Sequence, residues 1–362
     1  MIRSLLAIAA LPVPAVAQVP PAPIMNSGTP QRVLLAWMPG EVRCAGVTVR
    51  ATAMRRPWVD LSWGDNPGLK PLTYSFDIDA TGRAVSIRRN GRGEYVPYSE
   101  DVAPSLVATH FAPGAAHSGC ILAYLPRQTA LPATPIADLV SYTVTPLSGP
   151  LPEEGWAVIK GTGNCADAPR PQPLVQILPD FSTIPPTAGV KDWTLVGYDL
   201  DESGRPKNVH GSYGTGNEAL RAAATKAMAS SRFTNGRHQG CLYPYWRAPA
   251  TLPAPPMPDA ASLRPTGATC PEHHEWAAQP TLQFPEPYRR RSIEGWAIVT
   301  YDVAPWGEVG NARVVAAQPT EDFGKQALNV IRNAKVPTTQ GLVGCIDRVR
   351  FEMPPAVEAK GG

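Results

Sequence analysis

The residues of this chain best suited to chemistry are six cysteines, Cys44, Cys120, Cys165, Cys241, Cys270 and Cys345. Taken in order they form pairs separated by 76, 76 and 75 positions. A structural zinc site draws its cysteines from pairs roughly two to four residues apart, and this chain has no such pair. An even cysteine count in an exported protein points to disulfides instead. Of the many connectivities open to six cysteines, the threefold spacing singles out Cys44–Cys120, Cys165–Cys241 and Cys270–Cys345. Each link would close a long loop, worth up to about 4 kcal/mol by the chain-entropy argument.

Other candidates for chemistry dissolve on inspection of their spacing. Glu272-His273-His274-Glu275 is the one histidine cluster. Adjacent side chains diverge on a strand and stand about 100° apart on a helix, so neighbouring histidines rarely chelate one ion. The H-E-x-x-H spacing of a zinc hydrolase is also missing, and the cluster reads as a solvated loop. Gly161-Thr162-Gly163-Asn164-Cys165-Ala166 imitates the start of a dinucleotide fingerprint but runs into Pro169 and Pro171. No helix follows to receive a pyrophosphate. Asp77 with Asp79, and Asp199 with Asp201, have the composition of a general acid/base pair. The third equivalent, Asp302 with Ala304, breaks the pattern, and each pair feeds a turn where aspartate is favoured structurally. No G-x-S-x-G nucleophile elbow occurs. Arg289-Arg290-Arg291 reads as a solvated basic run. The expectation is a non-catalytic protein with no metal, no cofactor and no small-molecule substrate.

Composition narrows the class further. A formal charge of +3 over 362 residues gives no field for nucleic acid or a membrane surface. Apolar residues at 43% and charged residues at 17% permit packed cores. Proline, with 42 residues, must occupy linkers, turns and sheet edges, because helix and central-strand interiors reject it. At the N-terminus Arg3 precedes an apolar run from Ser4 to Ala17, and Ala15-Val16-Ala17 offers a cleavage site before Gln18. The run falls short of the roughly 20 residues a spanning helix needs. Residues 1–17 are therefore expected to be a signal peptide cleaved after Ala17, leaving a periplasmic protein.

The elements that hold the cysteines repeat with them. Midway between each pair lies a strand ending in a glycine turn, Phe76 to Gly82, Tyr198 to Gly204 and Tyr301 to Gly307. Tyr74, Phe76 and Ile78 alternate along the first of these, as do Val196, Tyr198 and Leu200, and Val299, Tyr301 and Val303, each set on one face. Shorter strands follow around Val85–Ile87, Lys207–Val209 and Asn311–Val315. The period then changes to four, with Tyr98, Val102 and Leu106, then Leu220, Ala224 and Met228, then Phe323, Ala327 and Ile331. That stepping predicts a helix of roughly four turns with one apolar stripe. Asn217 supplies an N-cap in the second, and Pro104 falls in the first helical turn of the first. Each stretch closes with a glycine-cysteine pair and a strand, at Ile121–Tyr124, Leu242–Trp246 and Ile346–Phe351. The fold expected is α+β, three tandem small ββαβ domains, each a short antiparallel sheet covered by one helix and closed by a disulfide. Their spans are 40–130, 155–250 and 266–356. The proline-rich stretches Pro126–Ile136, Pro146–Pro152 and Pro249–Pro265 are expected to space them like beads.

The third unit resembles the C-terminal domain of TonB-type energy transducers. The likeness runs through Pro287-Tyr288, Glu294-Gly295-Trp296-Ala297-Ile298-Val299-Thr300-Tyr301-Asp302-Val303, Gly307-Glu308-Val309, Val314-Val315, the helix with Phe323, Ala327 and Leu328, and Val349-Arg350-Phe351. Arg232-Phe233 in the second unit, and more loosely His110-Phe111 in the first, resemble the family's pair after the helix. A true transducer carries one such domain, an uncleaved anchor and a long spacer, and energy coupling would follow only if residues 1–17 stayed in place as an anchor. An envelope enzyme with an unrecognised site is the remaining rival. The resemblance implies instead a protein-binding module whose last strand lies at a sheet edge and pairs with extended peptides of envelope proteins, outer-membrane receptors among them. Pro126 cuts the first such strand short and Pro244 interrupts the second. The docking strand is therefore assigned to the third unit, at Ile346, Asp347, Arg348, Val349, Arg350, Phe351, Glu352 and Met353.

Overall fold

A computed structural model of the protein describes residues 31–91, 95–161, 163–272, 274–277 and 281–354. The leader at 1–17 and His273 lie outside the described residues. The fold is mixed α+β, made of small antiparallel sheets and few helices, and held by three disulfides joining Cys44 to Cys120, Cys165 to Cys241 and Cys270 to Cys345. Among the described residues no helix is long and apolar enough to cross a membrane.

The N-terminal part carries β1 (Arg32–Pro39), β2 (Val42–Cys44), β3 (Val47–Val49), β4 (Ala51–Ala53), β5 (Asp60–Trp63), β6 (Leu72–Ile78) and β7 (Ala84–Arg89). Helix α1 (Val102–Val107), β8 (His110–Phe111) and the long β9 (His117–Ala130) complete it. The helix is shorter than expected: Tyr98 takes a positive φ of 62° and stands outside it. β1 is an element the sequence reading left out, and it changes the sheet. It pairs with β9 from Val33↔Ala130 to Pro39↔Tyr124, while β6 pairs with the other edge from Leu72↔Tyr124 to Ile78↔His117. β9 is therefore an inner strand here, which corrects the expected edge position. Pro126 does not end it either. β6 stops at Tyr124, so Pro126 sits where β9 has a single neighbour, and a missing amide is tolerated there.

Two helices follow, α2 (Ile136–Val144) between the two proline-rich stretches expected as spacers and α3 (Glu153–Lys160) directly after the second. Asp138 in the first turn of α2, and Glu153, Glu154 and Lys160 at the two ends of α3, complement the helix dipoles. Leu139, Val140, Tyr142 and Ile159 join Leu34, Leu61, Trp193 and Leu195 in one core cluster. The helices thus bind the N-terminal sheet to the middle one instead of spacing them.

The middle part holds β10 (Pro173–Val175), β11 (Asp192–Leu200), β12 (Pro206–Gly214), α4 (Glu218–Ser230), β13 (Arg232–Phe233) and β14 (His238–Arg247), with sheet order β12-β11-β14. Asn217 caps α4 by accepting from the Leu220 amide at 3.0 Å. The C-terminal part holds α5 (Glu286–Arg290), β15 (Gly295–Val303), β16 (Val309–Gln318), α6 (Glu321–Arg332) and β17 (Leu342–Phe351), with order β16-β15-β17. The apolar stripe Phe323, Ala327 and Ile331 is buried.

These parts are packed together, not strung out. One continuous core runs from Phe76, Leu106 and Tyr124 through Tyr288 and Ile293 to Val299, Phe323 and Phe351. β7 meets the end of β16, where the Ile87 amide donates to Pro319 O at 2.9 Å and the Ser86 amide to Gln318 Oε1 at 2.8 Å. The last proline-rich stretch lies across the back of the C-terminal sheet, with Trp296 Nε1 donating to Pro255 O at 2.7 Å and Trp296, Ile298 and Ala260 clustered together. Extended, proline-bearing chain keeps its carbonyls free, so it can lie on a sheet face as readily as it can span a gap.

Candidate docking edge

The start of β17 is set by a bulge at Gly344. Its φ of 69° suits a glycine, and its amide donates to Asp302 Oδ1 at 2.9 Å. The same clamp occurs at Asp77 with the Gly119 amide, 3.0 Å, and at Asp199 with the Gly240 amide, 2.9 Å. In two of the three, an asparagine with positive φ holds the other carboxylate oxygen: Asn208 on Asp199 at 2.7 Å and Asn311 on Asp302 at 2.8 Å. The asparagine amides, followed by the glycine amides, keep both carboxyls below the usual carboxylate range. Asp79 and Asp201 instead close the turn, each accepting from two backbone amides downstream, those of Thr81 and Arg83 and those of Ser203 and Arg205. All of these aspartates have structural partners.

Further along, the side chains of β17 divide by face. Cys345, Val349 and Phe351 are buried in the core shared with the N-terminal sheet, and the Phe351 ring meets Phe284 edge-on and Phe323 at a tilt. Asp347 shares that side and accepts a hydrogen bond from the Tyr301 hydroxyl. Burial pushes the Asp347 carboxyl up, against the pull of Tyr301 and His274. His274 Nε2 lies 2.7 Å from the Tyr301 oxygen, and Trp276 stacks on the Tyr301 ring. His274, read from sequence as part of a solvated loop, is a buried partner of this strand, with a side chain only 7% exposed. Its two-residue spacing from Trp276 was the available signal. On the opposite face Ile346 packs on the Trp296–Ile298 cluster, while Arg348, Arg350 and Glu352 are exposed. Met353 is half-buried, and its amide donates to Glu294 Oε1 at 2.9 Å.

The backbone edge is what these side chains frame. β17 pairs with β15 from Gly295↔Phe351 to Val303↔Leu342. On its other side Val343 exchanges bonds with Thr269, 2.9 Å from the Thr269 amide to Val343 O and 3.0 Å from the Val343 amide to Thr269 Oγ1. Among the described residues, no strand pairs with the outer edge beyond that point. β14 is likewise an outer strand, but Pro244, opposite Leu195, removes one of its amides. β9 has neighbours on both sides. A free, proline-less strand edge framed by mixed charges is the arrangement on which extended peptides add as a further strand.

Residues 280–351 match the family model of the Gram-negative bacterial TonB protein C-terminal. That part of the chain, from α5 to the end of β17, is a TonB C-terminal-like domain, a type of protein-interaction module. Cys270, the partner of Cys345, lies ahead of the matched stretch. No curated protein matches the chain.

Proposed function

We propose that this chain is a non-catalytic, periplasmic protein-binding protein made of three copies of one TonB C-terminal-like ββαβ unit, and that an extended segment of an envelope partner adds as a strand to β17 along residues 346–353. The observation that carries the docking reading is the open outer edge of β17 in the one part that matches the TonB family, beside an inner β9 and a proline-interrupted β14. The threefold reading is supported by the equivalent clamps Asp77–Gly119, Asp199–Gly240 and Asp302–Gly344 and by the repeated cysteine spacing. The apolar leader and the disulfides support a periplasmic setting, and mass spectrometry of protein from its host should find a mature chain beginning at Gln18.

The deciding experiment is hydrogen–deuterium exchange on the full chain with and without peptides from the periplasmic termini of outer-membrane receptors. Strand addition engages the outward amides of β17, so protection should rise there and not in β9. Protection confined to β14 or to the α2–α3 segment would sink the assignment.

A further inference from the structure

Where the N-terminal sheet, α2 and the middle sheet converge, they leave a cavity of about 280 Å³. Four cations line it, Arg55, Arg56, Lys191 and Arg291, against a single carboxylate, Asp138. Two of the cations are accounted for. Arg291 is paired with Asp101, and Arg56 shares Asp138 with Arg127, at 3.1 and 2.6 Å. Among the described residues Lys191 has only neutral partners, donating to Val144 O at 2.6 Å with its ammonium 4.5 Å from the centre of the Trp246 ring.

Arg55 is less satisfied still. Its side chain forms no ion pair or hydrogen bond with the described residues, and its Nε is closed off from solvent with no acceptor. Asp192 attracts it from a distance, but the Asp192 oxygens are occupied by Thr187, Thr215 and Asn217 at 2.7, 2.8 and 2.8 Å. Burial pushes the Arg55 guanidinium below its ordinary range, yet a guanidinium stays charged at neutral pH. A half-buried cation with a sequestered, unbonded donor is costly unless an anion completes it.

We propose that this cavity binds a small oxyanion, a carboxylate or phosphate group, with the Arg55 guanidinium as its fork and Lys191 as the second cation. A guanidinium meets both anions through parallel N–H donors. A space of this size admits an anion of a few heavy atoms. The walls belong to all three parts of the chain, so a bound anion stabilises their arrangement and raises the melting temperature with concentration.

The test uses the full chain, titrated separately with inorganic phosphate and with succinate, against sodium chloride at matched ionic strength. Trp58 and Trp193 line the cavity, so their fluorescence reports filling alongside the melting temperature. The expected result is a saturable response to phosphate or succinate, with the tighter anion identifying the source. Arg55→Gln should weaken it at least tenfold and Lys191→Gln by less. Arg55→Lys, which keeps the charge but loses the fork, should fall between Arg55→Gln and the parent, and it serves as the probe if Arg55→Gln does not fold. A flat titration with both anions, an equal response to chloride, or unchanged affinity in folded Arg55 variants overturns the proposal.

Discussion

Arg291 and Asp101, 190 residues apart, form a two-point ion pair shut away from solvent, with Nε to Oδ1 at 2.6 Å and Nη2 to Oδ2 at 2.5 Å. Arg291 also donates to Gly189 O and Arg56 O, and its guanidinium lies 4.4 Å over the Trp58 ring. The Trp58 amide donates to the same carboxylate at 2.7 Å. One side chain from the C-terminal part therefore grips both of the others. Its neighbours Arg289 and Arg290 stay at the surface and pair with Glu286.

Removing one member of this pair should leave a buried charge without its partner. Arg291→Met or Asp101→Leu alone is expected to cost about 3–5 kcal/mol in urea unfolding, whereas the two together should restore much of the loss. Additive losses in the double variant would mean that the pair is not coupled.

Proline substitution separates binding at β17 from folding. Amides alternate along an antiparallel strand between the ladder and the open edge, so of Arg348 and Val349 one points outward. Arg348→Pro and Val349→Pro should therefore differ. One keeps its melting temperature and loses peptide protection in hydrogen exchange, while the other unfolds. If the variant that stays folded still captures peptide like the parent, docking lies elsewhere.

The disulfide at Cys345 should matter beyond its own sheet. Cys345→Ser is expected to cost about 2–4 kcal/mol. Because Cys345 shares one core with Phe76, Leu106 and Tyr124, exchange should quicken in β6 and β9 as well as in β15. The middle sheet, with its own cluster around Val196, Leu220 and Met228, should keep its protection. Loosening confined to β15–β17 would contradict the shared core.

The clamp at Asp302 predicts an acid limb. Its carboxyl is held below the ordinary range by the Asn311 and Gly344 amides. A carboxylate with a lowered folded pKa contributes stability in full above its unfolded value near ~3.9 and loses it as pH falls through the folded value. The stability gap between parent and Asp302→Asn should thus be widest at neutral pH and shrink toward strong acid. A gap independent of pH would mean that the charge contributes nothing.

Much of this architecture is legible residue by residue. The cysteine spacing selects the disulfide pairing that is present. The alternation at Val299, Tyr301 and Val303 marks a strand, the four-residue stepping through Phe323, Ala327 and Ile331 marks a helix, and Asn217 marks where α4 begins. Gly307 marks its turn: φ is 89°, and a Cβ there would sit 2.4 Å from Val336 O. α2 and α3 carried signals too, Ile136 with Leu139 and Val140 in one, and Glu153 with Lys160 in the other. The surrounding prolines masked them.

What the sequence by itself determined about this protein is the local part: which stretches form strands, where they turn, how the helices are capped and which cysteines repeat. Each depends on residues within a few positions of one another, where period, turn chemistry and capping act directly. Only the tertiary structure decided which edges stay open, which charges are buried and whether the parts touch. β9 is inner because β1, which precedes it by some 85 positions, fills its flank. Arg291 is buried while Arg290 is not because Asp101 lies across from one and not the other. His274 is sequestered because Tyr301 and Asp347 meet it from separate strands. Edge occupancy and burial are properties of whatever the folded chain brings alongside, and local pattern carries no record of that distant neighbour.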